Sequence, residues 1–117
     1  MAFSYEHKQE SNFSLYSLEG RFVENTKDMT LVDAVIEELA ERNVNLILNL
    51  DKMAYMNSVG INALVRIVKE TNSSGQKVVF VNVPERVMEL LQVIKLNSVF
   101  TIRKSLEEGI LYLEEWK

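Results

Sequence analysis

The sequence predicts an α/β fold: one mixed sheet of four or five strands with about four helices packed against it. Three observations carry that expectation. Leu46-Ile47-Leu48-Asn49-Leu50 and residues 77–83 are nearly continuous apolar, β-branched runs, the composition of strands covered on both faces. Each is followed by a segment whose apolar residues recur at helical spacing. The first twenty residues instead have the pattern of a hairpin. Alternating strands and helices imply parallel pairing through right-handed crossovers, and the opening hairpin makes the sheet mixed.

Residues 3–8 form the first predicted strand and residues 10–12 a turn. Residues 13–18 alternate apolar and polar side chains, the period of a half-buried strand. Gly20 is expected to end that strand, with Phe22 and Val23 opening a connection. Asp28 or Thr30 caps a helix running to about Glu41, in which Leu31, Val35 and Leu39 recur at spacing four beside Val32 and Ile36. After residues 46–50, a helix is expected to about Asn72, ended by the turn Ser73-Ser74-Gly75. Pro84 suits the first residue of a third helix carrying Val87, Leu90, Leu91 and Ile94. Residues 100–102 give a short last strand. Ser105 and Glu108 form a capping box for a terminal helix through Trp116, weakened by Gly109.

The 117 residues are enough for one domain with one core, and residues 1–117 are read as a single unit without linkers or repeats. A formal net charge of -4 argues against nucleic acid as a direct partner. The chain has no cysteine and one histidine, His7, expected on the solvated surface, so neither a disulfide framework nor a metal site is expected. The N-terminus lacks the apolar core of a signal peptide, and no apolar run reaches membrane-spanning length. A cytoplasmic location is the expectation.

Enzymatic catalysis is disfavoured on residue inventory. The four glycines, Gly20, Gly60, Gly75 and Gly109, are too dispersed for a phosphate loop or a dinucleotide fingerprint, and no cofactor is expected. Asn57-Ser58-Val59-Gly60 lacks the glycine two residues before the serine that a nucleophile elbow needs, and a serine triad would have no second histidine to draw on. What remains is Ser58 itself, where a buried strand hands over to a helix. It is expected at least to serve as the N-cap. A hydroxyl there sits at the positive end of a helix dipole, where an added phosphate is well tolerated.

Three segments carry a family resemblance. Leu18-Glu19-Gly20-Arg21-Phe22 is similar to the L-x-G-x-[LF] segment, Leu46-Ile47-Leu48-Asn49-Leu50 to the strand, and Met56-Asn57-Ser58-Val59-Gly60-Ile61 to the D-S-S-G-L signature of STAS domains. The chain resembles in particular the bacterial anti-sigma factor antagonists, over almost its whole length. The resemblance implies a STAS-like fold and a binding module. The unmodified antagonist would bind an anti-sigma factor with serine kinase activity, phosphorylation of Ser58 would end the complex, and a serine phosphatase would restore it. The implied partner surface comprises Gly20, Arg21, Phe22, Glu24, Tyr55, Met56, Asn57, Ser58, Val59, Gly60, Asn62 and Arg66, with residues 53–57 expected as a loop. Asn57 stands where the family usually has an acidic residue, and Val23 and Glu24 stand near its usual aspartate.

Three other readings are weighed against this one. STAS domains also serve as scaffolds or regulatory parts of transporter and lipid-transport assemblies. A receiver domain would use Asp51, at the end of a buried strand, as its phosphoacceptor, but it also needs an early acidic pair that Ser11-Asn12 and Gly20-Arg21 do not offer. An enzyme of unfamiliar type is the third.

Overall fold

The computed structural model describes residues 3–22 and 29–115. Its elements run β1 (Ser4–Gln9), β2 (Phe13–Phe22), α1 (Met29–Glu41), β3 (Asn45–Met56), α2 (Ser58–Ser73), β4 (Val78–Val81), α3 (Glu85–Val93), β5 (Thr101–Arg103) and α4 (Leu106–Glu115). The five strands form one sheet in the order β1-β2-β3-β4-β5. β1 pairs antiparallel with β2, and every later pair is parallel, so the sheet is mixed as the sequence predicts.

The helices divide unequally between the two faces. Leu46 and Leu48 of β3 and Phe80 of β4 bury themselves against Leu31, Val35, Ile61, Leu64, Ile67 and Leu91 from α1, α2 and α3. The alternate positions Ile47, Val79 and Val81 point the other way, onto Leu113 of α4. This two-sided cover explains the unbroken apolar runs of β3 and β4. Each fully buried Leu or Ile adds about 1.5–3 kcal/mol of transfer free energy.

A buried carboxylate fastens the edge of the sheet to α1. Glu38, among the few buried polar residues, accepts hydrogen bonds from Ser14 Oγ, from Tyr16 Oη at 2.6 Å and from Gln9 Nε2 at 3.2 Å. Arg42 Nη1 lies 2.8 Å from its Oε2 and His7 Nε2 3.1 Å from its Oε1. Burial alone would raise the Glu38 pKa, but the Ser14 and Tyr16 hydroxyls, His7 and Gln9 outweigh it and hold the carboxyl below its usual value. Burial, and then the hydrogen bond to Glu38, push the Tyr16 phenol the other way, far above its ordinary value. His7 is therefore engaged rather than merely solvated, and its ring also stacks on Tyr16 at 4.2 Å.

Several boundaries differ from the sequence expectation. β2 does not stop at Gly20 but continues to Phe22, its last residue. Residues 53–57 are not a loop, because β3 runs on to Met56. Asp51 consequently lies exposed inside β3 rather than at its end, unlike a receiver's phosphoacceptor. Pro84 occupies the N-cap position, one residue before the first helical residue of α3. Ile94 falls just beyond that helix and is exposed. Thr30 lies within the first turn of α1 and does not cap it. Half of the expected Ser105–Glu108 capping box is present, with Glu108 N donating to Ser105 Oγ at 3.2 Å. Val23, Glu24, Asp28 and Trp116 lie outside the described residues.

Candidate functional site

The C-terminal end of β3 is shaped by two one-residue irregularities. Ser17 and Glu19 of β2 pair with Asn49 and Lys52, and Gly20 and Arg21 pair with Met53 and Tyr55, so β3 gains one extra residue at each step. Each insertion reverses the inward–outward alternation. Leu50, Met53 and Met56 therefore all turn inward at a spacing of three, and all are buried. Lys52, Ala54 and Tyr55 are left on the exposed side. Gly20 sits at the second irregularity with φ 94°, a left-handed value that side chains disfavour.

Asn57, not Ser58, caps α2. Its extended backbone stops the strand, and its Oδ1 accepts from Val59 N at 3.0 Å and Gly60 N at 3.3 Å. The Asn57 carbonyl accepts the first intrahelical bond, from Ile61 N at 3.0 Å. Ser58 is thereby the first helical residue, exposed, with its hydroxyl uncommitted among the described residues. Both residue types are good caps, and the sequence alone does not say which of two consecutive ones takes the role.

The floor of this junction is tightly closed. Phe22 is fully buried and stacks on Phe3 at 4.2 Å between ring centroids. Its carbonyl accepts from Asn57 N at 3.4 Å. A Cβ on Gly60 would stand 2.5 Å from that same oxygen, so the first turn of α2 approaches β2 as closely as only glycine allows.

Around Ser58 the expected site residues separate into two groups. Gly20, Phe22, Met56 and Gly60 are buried and shape the surface from beneath. Arg21, Tyr55, Ser58, Val59, Asn62 and Arg66 are exposed, and Asn57 is half-buried. The Arg21 guanidinium lies 4.8 Å over the Tyr55 ring, a cation–π contact. Asn62 and Arg66 follow Ser58 at one and two helical turns, on the same face of α2. Glu24 lies outside the described residues.

Sequence reasoning missed the opposite wall. A groove of about 400 Å³ is lined by Tyr55, Met56, Asn57 and Ser58 on one side and by Arg86, Val87, Glu89 and Leu90 of α3 on the other. The missing signal was topological. β3 and β4 are parallel neighbours, so the helices that follow them start side by side.

Among the described residues no group of three or more His, Cys, Asp or Glu is placed to hold a metal ion. No described helix is long and apolar enough to cross a membrane. Among the described residues the site presents the uncommitted Ser58 hydroxyl, the exposed side chains of Tyr55 and Val59, and arginines around them.

Comparison with known proteins places this geometry in context. The family described as STAS domain matches residues 5–109. A putative anti-sigma factor antagonist from Thermotoga maritima superposes with a TM-score of 0.82 at 19% identity, over 95% of each chain. An anti-sigma factor antagonist from Mycobacterium paratuberculosis gives 0.78 at 16% identity, over 97% of this chain and 96% of that one. The unphosphorylated anti-sigma factor antagonist SpoIIAA gives 0.72 at 15% identity, over 98% of this chain and 100% of its own. At such identities the likeness is one of fold.

Proposed function

The chain belongs to the STAS domain family, and on that premise we propose that it is an anti-sigma factor antagonist controlled at Ser58. Residues 1–117 act as one binding domain. In the unmodified state it binds an anti-sigma factor that is also a serine kinase. The kinase transfers the γ-phosphoryl group of ATP to Ser58 Oγ: the new P–O bond forms, the bond to ADP breaks, and the hydroxyl proton is released. The phosphorylated form leaves the complex, and a serine phosphatase returns it to the unmodified state. The protein itself supplies no catalytic residue, and its place is the cytoplasm with its partners.

The observation that carries this reading is the state of Ser58. Its hydroxyl is exposed at the first position of α2 and is not spent on capping, which Asn57 provides. It is therefore available to a kinase without disturbing the helix. The proposed contact surface surrounds it: Arg21, Tyr55, Asn57, Val59, Asn62 and Arg66, supported from below by Gly20, Phe22, Met56 and Gly60, with Glu24 adjoining in sequence. Tyr55 and Val59, 40% and 41% exposed, supply apolar area for an interface centre. A phosphate of about -1.5 to -2 charge placed in that centre would have to be desolvated to keep the complex, so it favours dissociation without unfolding the domain.

The test is to capture the kinase from source-cell extract on the unmodified protein, add ATP and map the product by mass spectrometry. Phosphate on Ser58 alone is expected. Stoichiometric phosphate on Ser73, Ser74 or another residue, with Ser58 unmodified, would sink the reading.

A further inference from the structure

We propose that Arg86 is the receptor for a phosphate on Ser58, and that the pair closes the groove between α2 and α3. The inference rests on the reading of Ser58 as a phosphoacceptor. It adds where the phosphate goes and what it covers.

Most of the first turn of α2 is closed to the phosphate. The ordinary partners of an anion at a helix start are the N–H groups of the first turn. Here those of Val59 and Gly60 are already held by Asn57 Oδ1, and that of Ile61 by the Asn57 carbonyl. Of the first turn only the Ser58 N–H has no partner among the described residues, so a phosphate carrying nearly two negative charges must draw its other donors from elsewhere or from water.

Among the described residues that line the groove, one is a cation. Arg86 lines it opposite Ser58, is exposed, and has no ion pair or hydrogen bond among the described residues. Its planar guanidinium presents paired donors that match two phosphate oxygens, and its long stem lets it reach across the opening. Arg21 is less available, because it is already stacked over Tyr55. Glu89 also lines the groove, one helical turn after Arg86. Its charge repels a phosphate, so the group is held beside α3 only if Arg86 answers it.

The pairing has a consequence for recognition. Tyr55, Val87 and Leu90 line the same groove. A phosphate held by Arg86 would span its mouth and cover that apolar floor. Modification would then act by filling a recess as well as by adding charge.

The experiment does not need the kinase. Phosphoserine is incorporated at position 58 during synthesis, and its phosphorus resonance is followed through a pH titration. The second phosphate pKa, ordinarily near 6, should fall by about half a unit or more in the folded protein relative to the urea-unfolded chain. Arg86→Ala should abolish most of that fall, and Arg86→Lys should restore part of it. Circular dichroism of each variant establishes that it is folded. A titration unmoved by Arg86→Ala, or moved only by Arg21→Ala, overturns the proposal. Failure of a cellular kinase to modify Ser58 would instead count against the proposed function and leave this titration unchanged.

Discussion

Replacing Gly60 by alanine should destabilise the protein, although alanine is the better helix former. The added methyl would lie 2.5 Å from the Phe22 carbonyl oxygen, 3.1 Å from Phe22 Cγ and 3.2 Å from Phe22 Cβ. The first contact is with backbone, which cannot swing aside as a flexible side chain does. Phe22 is fully buried and backed by Phe3, so β2 has no room to retreat. Forcing α2 outward carries the cost of overpacking, about 1–3 kcal/mol. Helix propensity returns at most about 1 kcal/mol. The net expectation is a loss of about 1–2 kcal/mol, read by urea unfolding with an unchanged m-value, and a Tm lower by roughly 5–10 °C. A variant as stable as the parent, or more stable, would refute the close approach of α2 to β2 on which the position of Ser58 depends.

Other outcomes follow from the same geometry. Asn57→Ala should cost about 1 kcal/mol as the lost cap of α2, whereas Ser58→Ala should change unfolding by less than about 0.5 kcal/mol; the reverse order would return the cap to Ser58. Leu48→Ala should cost about 2–5 kcal/mol through lost burial and a cavity, since Leu48 is fully enclosed, and a change under about 0.5 kcal/mol would contradict its central place in the sheet. Glu38 holds its proton less tightly in the native state than in the unfolded chain. Its stabilising contribution is therefore complete above the unfolded glutamate pKa of about 4.3 and is lost as pH falls through the lower folded value. Glu38→Gln should flatten the pH dependence of urea unfolding in that acid range, and a profile as steep as the parent's would show that other carboxylates govern it.

The sequence carried much of the fold because its strongest signals are periodic. Leu46–Leu50 and the following helix are legible from apolar spacing alone, and both stand within the elements expected. The last six residues of β3 were hidden by physics that a period cannot express. Two inserted residues place Leu50, Met53 and Met56 at a spacing of three, which fits neither a regular strand nor a helix. The Glu38 cluster was hidden differently. Glu38 and Arg42 look like an ordinary surface pair one helical turn apart, and only the tertiary fold brings Ser14, Tyr16 and His7 to the same carboxylate. At the candidate site, the chemistry of Ser58 was visible from the motif. Arg86 was not, because the groove joins two helix starts separated by most of α2 and all of β4.

The most direct measurement is calorimetric titration of the captured anti-sigma factor with three forms of this chain: unmodified, phosphorylated at Ser58, and Ser58→Asp. Circular dichroism first establishes that all three are folded. Tight binding by the unmodified form is expected, with affinity at least tenfold weaker for the phosphorylated form, about 1.4 kcal/mol, and an intermediate or equal loss for Ser58→Asp. Equal affinity of all three folded forms would contradict control at Ser58 and leave a STAS scaffold, bound irrespective of phosphorylation, as the reading to adopt.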